Sequence, residues 1–303
     1  MKHARHGAPQ LIEFENYHAT WHEHALRGLK TEVTAERLAC VGSWQALGAH
    51  LAGAPDVVVS GGVKLGGKDQ RALVRSGGVG IARAEQTLPE TESVDGWLAE
   101  SAILSGTQPK LAARQAKQLL TDLSLGFLAN RSFDSLSFAE RYGALVACAL
   151  STAPSLVWLP EPRVPQALMP FCRDLLARVA ERAQVVLVFS GEPDLDLLLG
   201  CDHVLAVDNG TLTANCSVAT WLAQAVEYRL TPLNDGAQQA GSGNPALEAR
   251  LREAGVAIHN PGRTQLFVSL KAPGGTDCVL RACLDSALGL YELTPLFFGP
   301  STR

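Results

Sequence analysis

One stretch of the chain has the spacing that phosphate chemistry uses. Gly62-Val-Lys-Leu-Gly-Gly67-Lys68-Asp69 follows the apolar run Val57-Val58-Val59 and matches G-x-x-x-x-G-K. A working loop of that kind wraps phosphate oxygens in backbone N–H groups, reaches them with the lysine, and binds magnesium through a following Ser or Thr hydroxyl. Asp69 stands at the hydroxyl position, where its carboxylate would repel a triphosphate, so the match reads as coincidence. A solitary carboxylate, Glu161, ends the apolar run Leu156-Val157-Trp158-Leu159 and is the one candidate for a catalytic base. His18, His22 and His24 are close in sequence, but no fourth ligand lies nearby and their spacing fits no zinc pattern, so they read as surface residues. No metal site is expected. Seven cysteines, an odd number with no C-x-x-C spacing, read as reduced thiols rather than disulfides or zinc ligands.

The elements that must hold these groups are legible from periodicity. Gln10 to Trp21 and Leu26 to Val41 alternate apolar and polar residues around the turn His22-Glu23-His24, which predicts a hairpin-like opening. Gly42-Ser43 then leaves a strand, Trp44-Gln45 follows, and a helix ending in Leu51-Ala52-Gly53 begins at once. Between Val94 and Asn130 apolar residues recur at helical spacing, broken by Gly106 and Pro109. Ser137 starts an alanine- and leucine-rich helix reaching Leu150, and the apolar runs 156–159 and 185–189 predict strands buried on both faces. Asn209-Gly210 predicts a tight hairpin turn that leaves His203 within a strand.

The order Leu136-Ser137-Phe138-Ala139-Glu140, a small-residue helix, then Leu156-Val157-Trp158-Leu159-Pro160-Glu161-Pro162 resembles the signature motif and Walker B strand of ATP-binding cassette (ABC) ATPases. The resemblance spans roughly residues 10 to 220 and implies a P-loop-NTPase-like α/β fold: a mixed sheet, an antiparallel β subdomain and a helical subdomain. It also implies candidate nucleotide contacts: Trp21 where an aromatic stacks on adenine, Gly42 and Ser43 where the phosphate loop begins, and Ser137 toward a partner's ATP. The departures are systematic. The segment after Gly42 is several residues shorter than the family's phosphate loop and lacks its lysine, and Pro160 replaces the Walker B aspartate. Phe138-Ala139 replaces the signature glycines, Ala84 takes the Q-loop position with Gln86 two residues on, and Arg163-Val164-Pro165 replaces the D-loop. Ser190-Gly191-Glu192 stands where the family carries its switch histidine.

What the resemblance then implies is a catalytically degenerate ATPase-like subunit that binds ATP and magnesium weakly or not at all and has no expected cofactor. Its implied partners are an ABC permease with a competent cassette ATPase or a second copy of itself, meeting the membrane only through those partners. The alternatives are a soluble interaction scaffold on the same fold and an active subunit with atypical motifs. At 303 residues and 47% hydrophobic content the chain can bury a full core, and a net charge of -4 gives no basic footprint for nucleic acid. Nothing approaches a membrane span or a signal peptide, so a cytoplasmic location is expected, peripheral at the inner face of the membrane if partners hold it there. The expected division is an ABC-like domain over 1–230 with a helical subdomain near 92–150, a polar glycine-rich linker over 231–245, and a small α+β domain over 246–303.

Overall fold

The computed structural model describes residues 10–83, 92–191, 193–224, 227–232, 245–259, 266–271, 275–286 and 290–296. The chain divides into two compact units, Met1–Cys216 and Ser217–Arg303, each with its own hydrophobic core.

The first unit opens with β1 (Gln10–Trp21) and β2 (His24–Thr34), paired antiparallel with Trp21 opposite His24. The predicted second strand, Leu26 to Val41, is in fact two. It breaks at Ala35-Glu36, and β3 (Arg37–Val41) enters a different sheet. The cause is pattern: β2 alternates, as a half-solvated antiparallel strand does, whereas Leu38, Ala39, Cys40 and Val41 are all buried, as a central parallel strand must be. Helix α1 (Gln45–Leu51) follows, tied to β1 by a 2.7 Å hydrogen bond between the Tyr17 hydroxyl and His50 Nδ1.

Strand β4 (Val58–Leu65) pairs antiparallel with β1, and the two-residue β5 (Lys68–Asp69) folds back on it. The turn between them, Gly66-Gly67, has positive φ at both residues. The four strands form a sheet in the order β2-β1-β4-β5. Asp69 then caps α2 (Gln70–Arg75), its carboxylate accepting the N–H groups of Arg71 and Ala72 at 3.0 and 3.3 Å.

After β6 (Val79–Ile81) come the helices of the helical subdomain, α3 (Val94–Leu104) and α4 (Pro109–Asp122). Helix α5 (Phe138–Leu150) is buried along most of its length and leads into β7 (Leu156–Pro160). It can lie close because its residues are small: a Cβ on Gly143 would sit 3.2 Å from a Leu125 methyl. Helix α6 (Met169–Ala180), β8 (Gln184–Phe189), α7 (Leu195–Leu199), β9 (His203–Asp208) and β10 (Thr211–Ser217) complete the unit. The second sheet has the order β10-β9-β3-β8-β7-β6, with β9, β3, β8, β7 and β6 mutually parallel. Asn209 (φ 48°) and Gly210 (φ 79°) make the tight β9–β10 turn, and the Gly210 carbonyl accepts the Arg27 N–H at 2.8 Å, stitching the turn to β2. All seven cysteines are free thiols.

The second unit begins with the short α8 (Val218–Ala223), capped by Ser217. Then come β11 (Glu227–Pro232), α9 (Pro245–Glu253), β12 (Ala257–His259), β13 (Leu266–Ser269), α10 (Asp277–Asp285) and β14 (Leu290–Leu296). Strand β11, which the sequence reading leaves at the end of the first domain, pairs antiparallel with β13 and β14 and so belongs to the sheet of the second unit, ordered β12-β13-β11-β14. The boundary therefore falls near 216 rather than 230, and residues 233–244 of the expected linker lie outside the described residues. This β-α-β-β-α-β order with interleaved strands is the split arrangement of ferredoxin-like folds. Among the described residues no helix is long and apolar enough to cross a membrane.

Candidate functional site

Ligands of open parallel sheets bind outside the carboxyl ends of the strands. Here that edge holds a small cleft where β3, β7 and β8 end. It is built at the exit from β3. Gly42 adopts φ +102°, and a Cβ there would lie 2.1 Å from the Val207 carbonyl oxygen, so only glycine fits. The Gly42 N–H donates to the Phe189 carbonyl at 2.9 Å and the Trp44 N–H to the Gly42 carbonyl at 3.1 Å, which removes both from phosphate binding. Trp44 is wholly buried behind them, its indole N–H donating to the Val41 carbonyl at 3.0 Å. One turn along α1 from Trp44, Gly48 leaves room for Trp158, whose Nε1 would be 3.2 Å from an added Cβ.

The cleft that remains holds about 90 Å³ and is walled by Trp21, Trp44 and Trp158, with Arg83, Glu161 and Arg163 at its polar side. Small-molecule sites span about 300–1,000 Å³. No lysine is among the residues lining the cleft. Lys68 lies in exposed β5, while Gly62 to Leu65 run extended within β4, so the G-x-x-x-x-G-K segment is a hairpin and forms no phosphate-wrapping loop. A larger groove of about 760 Å³, with Arg75, Thr152 and Arg182 in its lining, sits at the opposite edge, where strands begin, and Arg182 there is paired with Asp122.

Glu161 is half-buried at the end of β7. Its N–H donates to the Val188 carbonyl at 2.9 Å and its Oε1 accepts the Asp194 N–H at 3.2 Å, so it is fixed by strand-end hydrogen bonds. Desolvation raises its pKa to about 7, with the Asp194 charge adding to the rise and Arg163 opposing it. Arg163 donates to the Ser190 hydroxyl at 2.9 Å. Near neutral pH a proton can reside on Glu161; beside it the Ser190 hydroxyl accepts from Arg163 and the Asp194 carboxylate accepts the Leu197 N–H as the cap of α7, and no metal-binding cluster occurs among the described residues.

The other expected contacts fall unevenly. Trp21 lines the cleft, its Nε1–H donating to Asp56 at 3.1 Å and its ring 4.7 Å from that of His22. Ser43 lies at the neighbouring turn. Its hydroxyl donates to Gln45 Oε1 at 3.0 Å, which leaves the His24 Nδ1–H, also at 3.0 Å, as a donor to Ser43. His24 is thus a partly buried bonding partner, a correction to the reading of all three histidines as surface residues. Ser137 is outside the cleft. It caps α5 in a reciprocal capping box, its hydroxyl accepting the Glu140 N–H at 3.4 Å while Glu140 accepts the Ser137 N–H at 2.8 Å. That bond, with Arg131 alongside, holds the Glu140 carboxyl below the usual range. Ala84, Gln86 and Glu192 lie outside the described residues. Sequence reasoning missed the wall itself. Trp44 and Trp158 read as ordinary helix-start and strand residues, and only the shortness of the segment after Gly42 hinted at a tightly packed turn.

A six-stranded, largely parallel sheet, an antiparallel β sheet and a helical subdomain inserted between β6 and β7 together make the fold of ABC ATPases, and this chain has it. A nucleotide-free ATP-binding cassette from an ABC transporter superposes at a TM-score of 0.56 with 19% identity, covering 69% of this chain and 91% of that one. The cbiO1 protein from Clostridium perfringens, described as part of the ABC transporter complex cbiONQ, gives 0.58 and 16%, over 70% and 90%. The ADP conformation of an ABC transporter cassette gives 0.57 and 19%, over 69% and 91%. No protein-family model and no curated protein matches the sequence.

Proposed function

We propose that the chain is a non-hydrolytic subunit on the cassette fold, structural or regulatory in role, which works with a membrane permease and with a competent cassette ATPase or a second copy of itself. The observation that carries the reading is Trp44. Phosphoryl transfer depends on a lysine, a metal and backbone N–H groups that neutralise and position the phosphates; at the exit from β3 the Gly42 N–H is bonded to the Phe189 carbonyl and the Trp44 indole is packed into the core, which supports the reading. Glu161 alone cannot replace them. The similarity to cbiO1, a component of a transporter complex, supports a permease as partner, and a cytoplasmic location beside the membrane follows from that partnership.

The test is calorimetric and biochemical. Titration of the full chain with a non-hydrolysable ATP analogue and magnesium should give no binding heat, and the protein should show no ATPase turnover. Turnover abolished by Glu161→Gln would overturn the proposal. Co-purification of a multispanning membrane protein or an intact cassette ATPase supports the transport role, and soluble partners alone would point to a scaffold outside transport.

A further inference from the structure

The three indole N–H groups around the cleft are not equally satisfied. Trp21 Nε1–H donates to Asp56 at 3.1 Å and Trp44 Nε1–H to the Val41 carbonyl at 3.0 Å. Trp158 Nε1–H has no acceptor among the described residues, although Trp158 is only 4% exposed. Native structures seldom leave so buried a donor unmet. The atom lies across Gly48, itself a lining residue, and is not sealed from solvent, so an acceptor seated in the cleft can reach it.

The polar side of the cleft is rich in donors too. Arg163 donates to the Ser190 hydroxyl at 2.9 Å, which leaves the Ser190 O–H to donate outward, and Arg83 lines the same cleft. These two guanidiniums share the lining with one carboxyl, that of Glu161, whose burial favours the neutral form. The balance is positive. A cation would meet that charge and could not accept from Trp158, so the tryptophans do not make a cage for an ammonium group. Inorganic phosphate gains nothing from aromatic walls, and the Gly42 and Trp44 N–H groups are already bonded. An apolar body with one anionic head answers both halves of the lining. Benzene occupies an apolar cavity of about 150 Å³, so an open cleft of about 90 Å³ takes a hydrocarbon body of about four carbons.

We propose that the cleft binds a short-chain monocarboxylate, its hydrocarbon body against the tryptophan walls and its carboxylate accepting from Trp158 Nε1–H and Arg163. The non-hydrolytic role is a separate claim. ATPase turnover would sink that role, whereas this proposal is read from carboxylate binding alone.

Titration of the full chain with isobutyrate, followed by tryptophan emission and calorimetry, tests it. Three of the five tryptophans line the cleft, so emission should change as isobutyrate saturates. Half-saturation should fall below about 5 mM. Uncharged isobutyramide should bind about tenfold more weakly, and tetramethylammonium and inorganic phosphate should not displace isobutyrate. Trp158→Phe keeps an aromatic wall and removes the N–H, and it should weaken isobutyrate about tenfold. Arg163→Gln, at an exposed position, should weaken it as much with circular dichroism unchanged. If Trp158→Phe loses the wild-type circular dichroism, Arg163→Gln alone decides. No saturable response by about 5 mM, displacement by phosphate or tetramethylammonium, or an affinity that a folded variant leaves untouched overturns the proposal.

Discussion

Glu161 departs well from ordinary carboxyl behaviour, and the departure has a sign. Burial favours its neutral form, so its contribution to stability is fully present below pH 4.5, the ordinary carboxyl value, and is lost as the pH rises through about 7. For a partly exposed group the loss amounts to roughly 2 kcal/mol. Glu161→Gln keeps an oxygen for the Asp194 N–H and carries no charge. Its melting temperature should therefore exceed that of the wild type at pH 8 and match it at pH 4.5, and equal melting temperatures at pH 8 would rule out a buried, neutral Glu161. Trp44 makes a different prediction. Trp44→Ala removes a fully buried indole and should cost about 3–5 kcal/mol in denaturant unfolding. It should still bind no triphosphate, because enlarging the cleft supplies neither a lysine nor free N–H groups. Gain of ATP affinity in Trp44→Ala would mean that steric blockage alone silences the site.

At the scale of elements, α5 shows how a motif position can keep its residue and change its task. Ser137 is engaged with Glu140, and Glu140 with Arg131, so the start of the helix is satisfied within the chain. Ser137→Ala removes the hydroxyl that accepts the Glu140 N–H and should cost about 1 kcal/mol of stability in denaturant unfolding; undiminished stability would show that the cap is not formed in solution. The same logic separates β2 from β3. Both continue one polar-apolar rhythm in the sequence, and the run Leu38-Ala39-Cys40-Val41, buried on both faces, marks where the chain leaves one sheet for the other. The hairpin at Gly66-Gly67 settles the G-x-x-x-x-G-K match. A strand has already spent its backbone groups on the ladder with β1, and nothing is left to cradle a phosphate.

Each of the two units has a hydrophobic cluster of its own among the described residues. Leu38, Trp44 and Val186 belong to one, and Leu230, Leu251 and Val268 to the other. Units with separate cores are expected to unfold as separate cooperative blocks. Calorimetry should show two transitions, with Leu230→Ala lowering one by roughly 10 °C or more and leaving the other in place. A single transition, or an equal shift of both, would show that the cores are thermally coupled.

The sequence by itself determined the order and nature of the elements. The signature-like Leu136-Ser137, the small-residue helix, the buried strand ending in Glu161 and the Asn209-Gly210 turn are local patterns, and local patterns follow from backbone and burial preferences that a chain carries wherever it folds. It also carried the expectation that the segment after Gly42 lacks a phosphate-loop lysine and that Pro160 stands at the Walker B aspartate position. What only the tertiary structure decided is what packs around those positions. That Trp44 turns inward beneath Gly42, that Trp158 approaches α1 across Gly48, and that His24 reaches Ser43 depend on contacts between segments far apart in the chain. Side-chain packing of that kind has no period to read. The cleft is the space left over once those rings have packed.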